Sequence, residues 1–91
     1  MRITIRYSAQ ARQAVGQDSE SLQLDGPTSV RELLIRLSER HSGLRRLVTN
    51  DSGKPHPSLL LFVGEEQVDS DSPRALADGE VISILPPIAG G

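Results

Sequence analysis

The chain has 91 residues and a formal net charge of −2, with 36% hydrophobic and 24% charged residues and no cysteine. This length suits one domain with one core, and the mild acidity and two aromatic residues argue against a nucleic-acid binder. Without cysteine, disulfides, thiol catalysis and thiolate metal sites are excluded. No apolar run approaches the roughly 20 residues of a membrane span, so we expect a cytoplasmic protein.

The first two predicted elements are strands. Residues 2–8 alternate apolar and polar side chains and place Ile3, Ile5 and Tyr7 on one face, which is typical of a half-buried strand. A turn or short helical piece should follow and end near Gly16. Residues 20–24 alternate again, so the two strands are expected to form a hairpin with a long connection.

The main helix is predicted over residues 29–41. Its apolar side chains recur at i, i+3, i+4 and i+7 and form one stripe: Val30, Leu33, Leu34 and Leu37. Thr28 or Ser29 should cap the helix, and Glu32 stands at the capping-box spacing from Ser29. Gly43 is expected to stop it, with one further helical turn over residues 44–48.

The second half of the chain is expected to hold a polar loop and three strands. A loop over residues 49–58 is followed by a central strand over 58–63 and a short edge strand around 67–68. After these come a 3₁₀ turn that buries Leu76 and a tight turn at Asp78-Gly79. The last strand is expected over residues 80–85. Pro86 and Pro87 should end the last strand, because neither can donate a hydrogen bond to a sheet.

This order of elements predicts an α+β fold. One main helix must cover one face of a mixed sheet of four or five strands. The first and last strands can lie parallel in the middle of the sheet, because the helix supplies the crossover between them. This is the β-grasp (ubiquitin-like) arrangement, expected over residues 1–85, with residues 86–91 as an extended tail.

Side chains that could form an active site are scarce. The two histidines, His41 at a helix end and His56 in a loop, are both expected to be solvated. Residues 52–55 lack the glycine and hydroxyl pattern of a phosphate-binding loop, and residues 69–73 lack that of a calcium loop. We therefore expect no self-contained active site and no metal site, which leaves covalent chemistry to the end of the main chain.

The last six residues suit such chemistry. A glycine carboxylate has no Cβ beside it, so an adenylating enzyme can approach it closely. ATP would convert this carboxylate to an acyl-adenylate, from which sulfide would displace AMP to give a thiocarboxylate, whereas an amine or thiol would give a conjugate. The residues assigned to the reactive end and to the tail that enters a partner's channel are Gly91 and, before it, Pro86, Pro87, Ile88, Ala89 and Gly90.

A docking surface is predicted on the face of the sheet that the helix leaves open. Strand alternation assigns Ile3, Ile5, Leu61, Ile82 and Ile84 to the core. The same alternation places Leu60, Phe62 and Leu85 on the open face, with Arg6 at the rim. An exposed apolar cluster of this kind is typical of a partner interface. The alternative, that the loop over residues 49–57 covers the cluster, stays open.

Three stretches carry a family resemblance that spans nearly the whole chain. The segment LADGEVISILPPIAGG, residues 76–91, resembles the C-terminal signature of the MoaD/ThiS family of ubiquitin-like sulfur carriers. The segment IRYSAQARQAVG, residues 5–16, is similar to the start of molybdopterin synthase small subunits. The segment PTSVRELLIRL, residues 27–37, looks like the start of the family's helix.

The resemblance implies a function. Gly91 would be adenylated by a ubiquitin-activating-type enzyme that uses Mg-ATP, and then thiocarboxylated, while this chain itself binds no cofactor. The sulfur would go to molybdopterin biosynthesis, with this chain as the small subunit of molybdopterin synthase and the large subunit as acceptor. Residues 41–68 instead resemble carriers for cysteine synthesis, whose acceptor is a cysteine-synthase-like enzyme. Thiamin biosynthesis and ubiquitin-like protein modification would use the same fold and the same tail.

Overall fold

A computed structural model describes residues 1–49 and 59–86 of the chain. Its elements in chain order are β1 (Arg2–Tyr7), α1 (Gln10–Val15), β2 (Ser19–Gln23), α2 (Val30–Arg40), α3 (Ser42–Val48), β3 (Leu60–Val63), β4 (Glu66–Val68) and β5 (Val81–Leu85). Each predicted strand is present, with bounds within two residues of those expected. Across the described ranges, no helix has both the length and the apolar character needed to cross a bilayer.

The five strands form one mixed sheet in the order β2-β1-β5-β3-β4. The first and last strands, β1 and β5, are parallel neighbours, and the other neighbouring pairs are antiparallel. A parallel pair cannot be joined by a hairpin, and α2 lies in the crossover between them. This topology confirms the predicted α+β β-grasp fold with one main helix.

The start of α2 is fixed by a capping box. The Ser29 hydroxyl accepts a hydrogen bond from the Glu32 backbone N–H, and the Glu32 carboxylate accepts one from the Ser29 N–H. Two N–H groups that would otherwise lack a partner at the helix end are thereby satisfied. The predicted apolar stripe of α2 is buried: Val30, Leu33, Leu34 and Leu37.

The expected stop of the main helix at Gly43 is wrong. α2 ends at Arg40 because His41 adopts an extended backbone conformation, and a second helix, α3, begins at Ser42. Gly43 lies inside α3 against α1, where a Cβ would stand 3.4 Å from the Ala14 carbonyl oxygen and 3.5 Å from the Ala14 Cβ. Glycine at this position therefore serves the close approach of two helices and does not end one.

The expected 3₁₀ turn before the last strand is also absent from the described residues. The segment instead runs extended beside the start of α2, where Ala75 forms a bridge with Ser29. The Leu76 N–H donates to the Thr28 carbonyl at 2.9 Å, and the Leu76 side chain is buried as predicted. The turn at Asp78-Gly79 is present, with the glycine at a φ of 85°.

The core lies between α2 and one face of the sheet. The five side chains predicted to form it are each at most 1% exposed, namely Ile3, Ile5, Leu61, Ile82 and Ile84. They form one cluster with the buried apolar stripe of α2 and with Leu44 and Val48 of α3. Because every second residue of β1, β3 and β5 faces this core, the residues between them face the other side of the sheet.

Candidate functional site

The candidate site lies on the face of the sheet opposite α2. Along β5, Ile82 and Ile84 are buried, whereas Ser83 and Leu85 are partly exposed. On β3, Leu60 is 41% exposed and Phe62 is partly exposed. Strand alternation therefore places these side chains on the predicted face, with Leu60 exposed and Phe62 and Leu85 partly exposed, while the role of this face in binding stays a prediction. We call Arg6, Leu60, Phe62 and Leu85 the open-face surface.

The strand register brings the members of the open-face surface together. Ser83 of β5 pairs with Arg6 of β1 on one side and with Phe62 of β3 on the other, so the three form a row across three strands. Leu60 lies directly opposite Leu85 in the next pair of β3 and β5. Arg6, Phe62 and Leu85 line one cavity of about 490 Å³.

Sequence reasoning missed the part of this cavity that the connection between β1 and β2 supplies. The connection folds back onto the end of β1, where the Tyr7 N–H donates to the Asp18 carbonyl at 2.8 Å. Arg12 of α1 and Asp18 therefore line the cavity, and they form an exposed ion pair at 3.5 Å. Strand alternation could not predict these two residues, because their position depends on the path of the connection.

The charge of the open-face surface indicates what kind of partner it suits. The Arg6 guanidinium is exposed and makes no ion pair with any other described residue. Arg6 lines the same cavity as the apolar side chains of Phe62 and Leu85. Arginine and aromatic side chains are enriched at interfaces, and complementary charge guides association. The open-face surface therefore suits a partner that presents a carboxylate next to apolar groups.

The open-face surface borders the start of the predicted tail. Leu85 is the last residue of β5, and the Ser8 N–H still donates to the Ile84 carbonyl at 3.3 Å. Pro86, the first residue assigned to the tail, is buried. The remaining tail residues lie outside the described residues, as do His56 and positions 50–57 of the loop that was the alternative cover: Pro87, Ile88, Ala89, Gly90 and Gly91.

His41 is not solvated, so that prediction was wrong. Its side chain is 17% exposed, and its Nε2 lies 3.1 Å from the Glu20 carboxylate of β2. The Arg40 Nε reaches the same carboxylate at 3.3 Å, and the Gln17 side-chain amide donates to it at 2.6 Å. This cluster ties the edge strand β2 to the junction of α2 and α3, because His41 forms that junction.

Tyr7 packs against this cluster. Its ring meets the His41 ring edge-on, with the centroids 6.1 Å apart. Burial raises the pKa of the Tyr7 hydroxyl well above its ordinary value, and the neighbouring Glu20 carboxylate adds to the shift. The hydroxyl therefore stays protonated at neutral pH. It lies near the Glu20 carboxylate, but its position does not meet the geometry of a hydrogen bond with any described group. Its contribution is to packing.

Nowhere in residues 1–49 and 59–86 do three His, Cys, Asp or Glu side chains come together as a metal site would require.

Comparison with known proteins places the chain in a family. The sequence profile described as the ThiS family matches residues 5–91. The chain belongs to the ThiS family. This family membership confirms the resemblance to MoaD/ThiS proteins, a group of ubiquitin-like sulfur carriers and modifiers.

Two curated relatives of this ThiS-family protein match it over nearly their whole length. It is 37% identical over 93 residues to small archaeal modifier protein 3 of Haloferax volcanii, and the match covers 100% of both chains. It is 31% identical to the molybdopterin synthase sulfur carrier subunit of Escherichia coli, covering 98% of this chain and 99% of that protein. The two relatives carry different functional names.

Solved structures show the same fold. The crystal structure of SAMP1 from Haloferax volcanii superposes with a TM-score of 0.86 at 22% identity, covering 100% of both chains. The BexX/CysO complex of Amycolatopsis orientalis contains a chain that superposes with a TM-score of 0.70 at 25% identity, covering 98% of this chain and 99% of that chain. The second is the structure of a complex with a partner protein.

Proposed function

We propose that this ThiS-family protein is a sulfur carrier whose Gly91 carboxyl group becomes a thiocarboxylate, and that it donates this sulfur in molybdopterin biosynthesis. The observation that carries the proposal is the family match, which extends through Gly91 itself. The described residues add a mixed apolar and cationic surface at the end of the strand that leads to this glycine. No side chain of this protein needs to react.

The chemistry proceeds in three balanced steps. The Gly91 carboxylate attacks the α-phosphate of Mg-ATP held by an adenylating enzyme of the ubiquitin-activating type, which forms the acyl-adenylate and releases pyrophosphate. Hydrosulfide then attacks the acyl carbon, AMP leaves, and a proton is lost to give the thiocarboxylate. On donation, the thiocarboxylate sulfur attacks a carbon of the acceptor substrate and displaces a leaving group from it. Water then hydrolyses the resulting thioester, which leaves the sulfur on the substrate and restores the Gly91 carboxylate.

The open-face surface provides the contact through which both partners recognise the carrier. The activating enzyme and the acceptor enzyme must each place a reactive site at Gly91, six residues after Leu85. Six extended residues span at most about 20 Å, so a partner that reaches Gly91 lies close enough to contact the end of β5. The exposed Arg6, together with Phe62 and Leu85, would then hold the partner beside the tail.

The choice of pathway follows one of the two curated relatives. The Escherichia coli relative is a molybdopterin synthase sulfur carrier subunit, and it aligns with 98% of this chain. The segment PPIAGG at the end of the chain also suits this branch of the family. The acceptor would be the large subunit of molybdopterin synthase, with this chain as the small subunit.

A second function, protein modification, is favoured by the other relative. The Haloferax volcanii protein that is 37% identical to this chain is named as a small modifier. The first step of the chemistry would be the same. A lysine amine of a target protein, rather than hydrosulfide, would then displace the activating group and form an isopeptide bond to Gly91.

Intact-mass spectrometry separates the two functions. The protein is incubated with an adenylating enzyme of its own organism, Mg-ATP and sodium sulfide, with and without a lysate of the same organism as a source of targets. A sulfur carrier gains the mass difference between one sulfur and one oxygen atom, and only when ATP is present. Formation of target conjugates without that mass gain would instead assign the protein to the modifiers.

Two controls make the result specific. A variant that lacks Gly90 and Gly91 should keep its mass in every arm, and it should unfold at nearly the same temperature because every described core residue precedes Pro86. Addition of the large subunit of molybdopterin synthase and its substrate should return the charged protein to its original mass. Retention of the sulfur at that point would exclude the molybdopterin pathway while leaving the carrier function intact.

A further inference from the structure

A second surface lies on the helix side of the molecule, away from the open-face surface. A groove of about 460 Å³ runs between α2 and α3, and Leu34, Ile35 and Val48 supply its apolar lining. Ile35 is 51% exposed, more than any other large hydrophobic side chain among residues 1–49 and 59–86. Leu34 and Val48 are only 7% and 2% exposed, so Ile35 supplies nearly all of the apolar surface that the groove presents to solvent.

Charged residues flank Ile35 symmetrically along α2. Arg31 precedes it by four residues, Glu39 follows it by four, and all three line the groove. Four residues of α-helix rise about 6 Å, so the two charges lie at similar distances on either side of Ile35. On the exposed side of α2, a cation, an apolar residue and an anion therefore follow one another at even spacing: Arg31, Ile35 and Glu39.

Both charges are exposed, and neither belongs to an ion pair within the described part of the chain. Arg40, on the same helix, differs because it reaches the Glu20 carboxylate. Arg45 of α3 is the third charged residue of the groove. The arrangement is complementary to itself: when α2 is turned end for end about Ile35, the cation falls where the anion was.

We propose that this groove is the interface of a symmetric dimer formed with a second copy of this chain. The two α2 helices cross in antiparallel directions, with Ile35 against Ile35 at the two-fold axis. Arg31 of each copy then faces Glu39 of the other, which makes two identical ion pairs. A two-fold interface must be complementary to itself, and this stripe meets that requirement with an apolar centre and charged ends.

The size and position of this interface determine how tightly the two copies bind and whether the open-face surface stays accessible. Stable interfaces bury about 1,200–2,000 Å² in total, more than one helix stripe and its groove provide, so the dimer is weak and depends on concentration. Salt screens its exposed ion pairs and weakens it further. The open-face surface lies on the opposite side of the sheet, so both copies keep it available to partners. The inference is therefore independent of the proposed function.

Sedimentation equilibrium of the full-length protein, at low salt and over a wide concentration range, tests the dimer. The wild-type protein should show a monomer–dimer equilibrium. Ile35→Ala removes the apolar centre, and Arg31→Glu or Glu39→Arg places like charges opposite each other at both ends. Each of the two charge reversals should raise the dissociation constant about tenfold or more.

Mixing the two charge-reversed variants gives the most specific result. The Arg31→Glu protein carries carboxylates at both positions, and the Glu39→Arg protein carries guanidinium groups at both. Each alone should be monomeric, but an equimolar mixture should form a heterodimer with two attractive pairs. The double variant Arg31→Glu/Glu39→Arg should recover self-association, because its pairs are attractive again.

The control reverses a charge elsewhere on the same helix. Arg36 is exposed on α2 but does not line the groove, so Arg36→Glu should leave the dissociation constant unchanged. The proposal is overturned if the wild-type protein stays monomeric throughout, or if Arg36→Glu weakens association as much as Arg31→Glu. Failure of the mixed variants to associate would overturn it too, as would loss of the dimer on Arg6→Glu alone.

Discussion

The two faces of β5 show how neighbouring residues of one strand serve different purposes. Ile82 and Ile84 are 1% and 0% exposed against α2, whereas Ser83 and Leu85 are partly exposed on the other face. Burial of the first pair stabilises the fold through the hydrophobic effect. Leu85 contributes less to that burial, and together with the exposed Arg6 and the partly exposed Phe62 it forms a surface suited to a partner.

The difference arises because one main helix covers only one face of the sheet. Among the described residues, each of the three helices contributes to the core face: Ala11 of α1, the apolar stripe of α2, and Leu44 and Val48 of α3. Side chains on the covered face are therefore constrained by packing, whereas those on the open face remain in contact with solvent. Substitutions on the two faces should accordingly change different measurable quantities.

The sharpest contrast is between Ile84→Ala and Leu85→Ala, which change adjacent residues. Ile84→Ala leaves a cavity in the core and should lower the free energy of unfolding by about 2–5 kcal/mol. Leu85→Ala should cost well under half as much, because the side chain is already in contact with water. Urea denaturation followed by circular dichroism measures both, and equal losses would contradict the division between the faces.

Substitutions on the open face should weaken partner binding while leaving stability nearly unchanged. Phe62→Ala and Arg6→Ala should each reduce the affinity for the adenylating enzyme about tenfold or more, because aromatic and arginine side chains dominate interface energies. Isothermal titration calorimetry measures the affinity. Arg36→Ala, which removes the same charge from the helix side, is the matched control and should bind normally.

A substitution at the N-cap of α2 measures how much the stability of this helix, which covers the core face of the sheet, depends on one residue. Ser29→Ala removes the side chain that accepts from the Glu32 N–H and should cost about 0.5–2 kcal/mol of stability. Binding through the open-face surface should not change. Ser21→Ala, on the exposed edge strand β2, removes a hydroxyl that caps no helix. A comparable loss of stability in that variant would show that the cap is not the cause.

The smallest expected effect is a pH dependence at the entry to β5. The Arg74 guanidinium, at 3.2 Å, and the Ala77 N–H hold the pKa of the Glu80 carboxyl below its ordinary value of 4.5. A carboxyl group whose pKa is lowered in the folded state stabilises the protein above its unfolded pKa, and that stability is lost as the pH falls.

Glu80→Gln should therefore destabilise the protein slightly at neutral pH, with the difference from wild type shrinking once the pH falls below 4.5. Thermal unfolding at a series of pH values measures this difference. A difference that is the same at all pH values would show that the Glu80 charge has no part in stability.

Most of the fold and the four residues of the open-face surface followed from local patterns. Two-residue alternation predicted the faces of β1, β3 and β5, and a helical stripe with a capping box predicted α2. These features depend on neighbouring residues in the sequence, so the sequence alone predicts the open-face positions Leu60, Phe62 and Leu85.

The remaining features depend on contacts between distant residues. The local sequence favours Gly43 as a helix stop, since nothing near it in the sequence indicates its contact with Ala14 of α1. The burial of His41 is equally hidden, because its partner Glu20 is 21 residues away in the sequence. The addition of Arg12 to the cavity likewise required the path of the connection between β1 and β2.

The central claim, that the reactive group is the main-chain carboxyl of Gly91, is tested most directly by locating the sulfur. After charging with ³⁴S-labelled sulfide, the protein is cleaved and its C-terminal peptide is fragmented in the mass spectrometer. The label should be found only on the last residue, and it should disappear when ATP is omitted. Label on any side chain, or an unlabelled terminus in a protein that still donates sulfur, would contradict it.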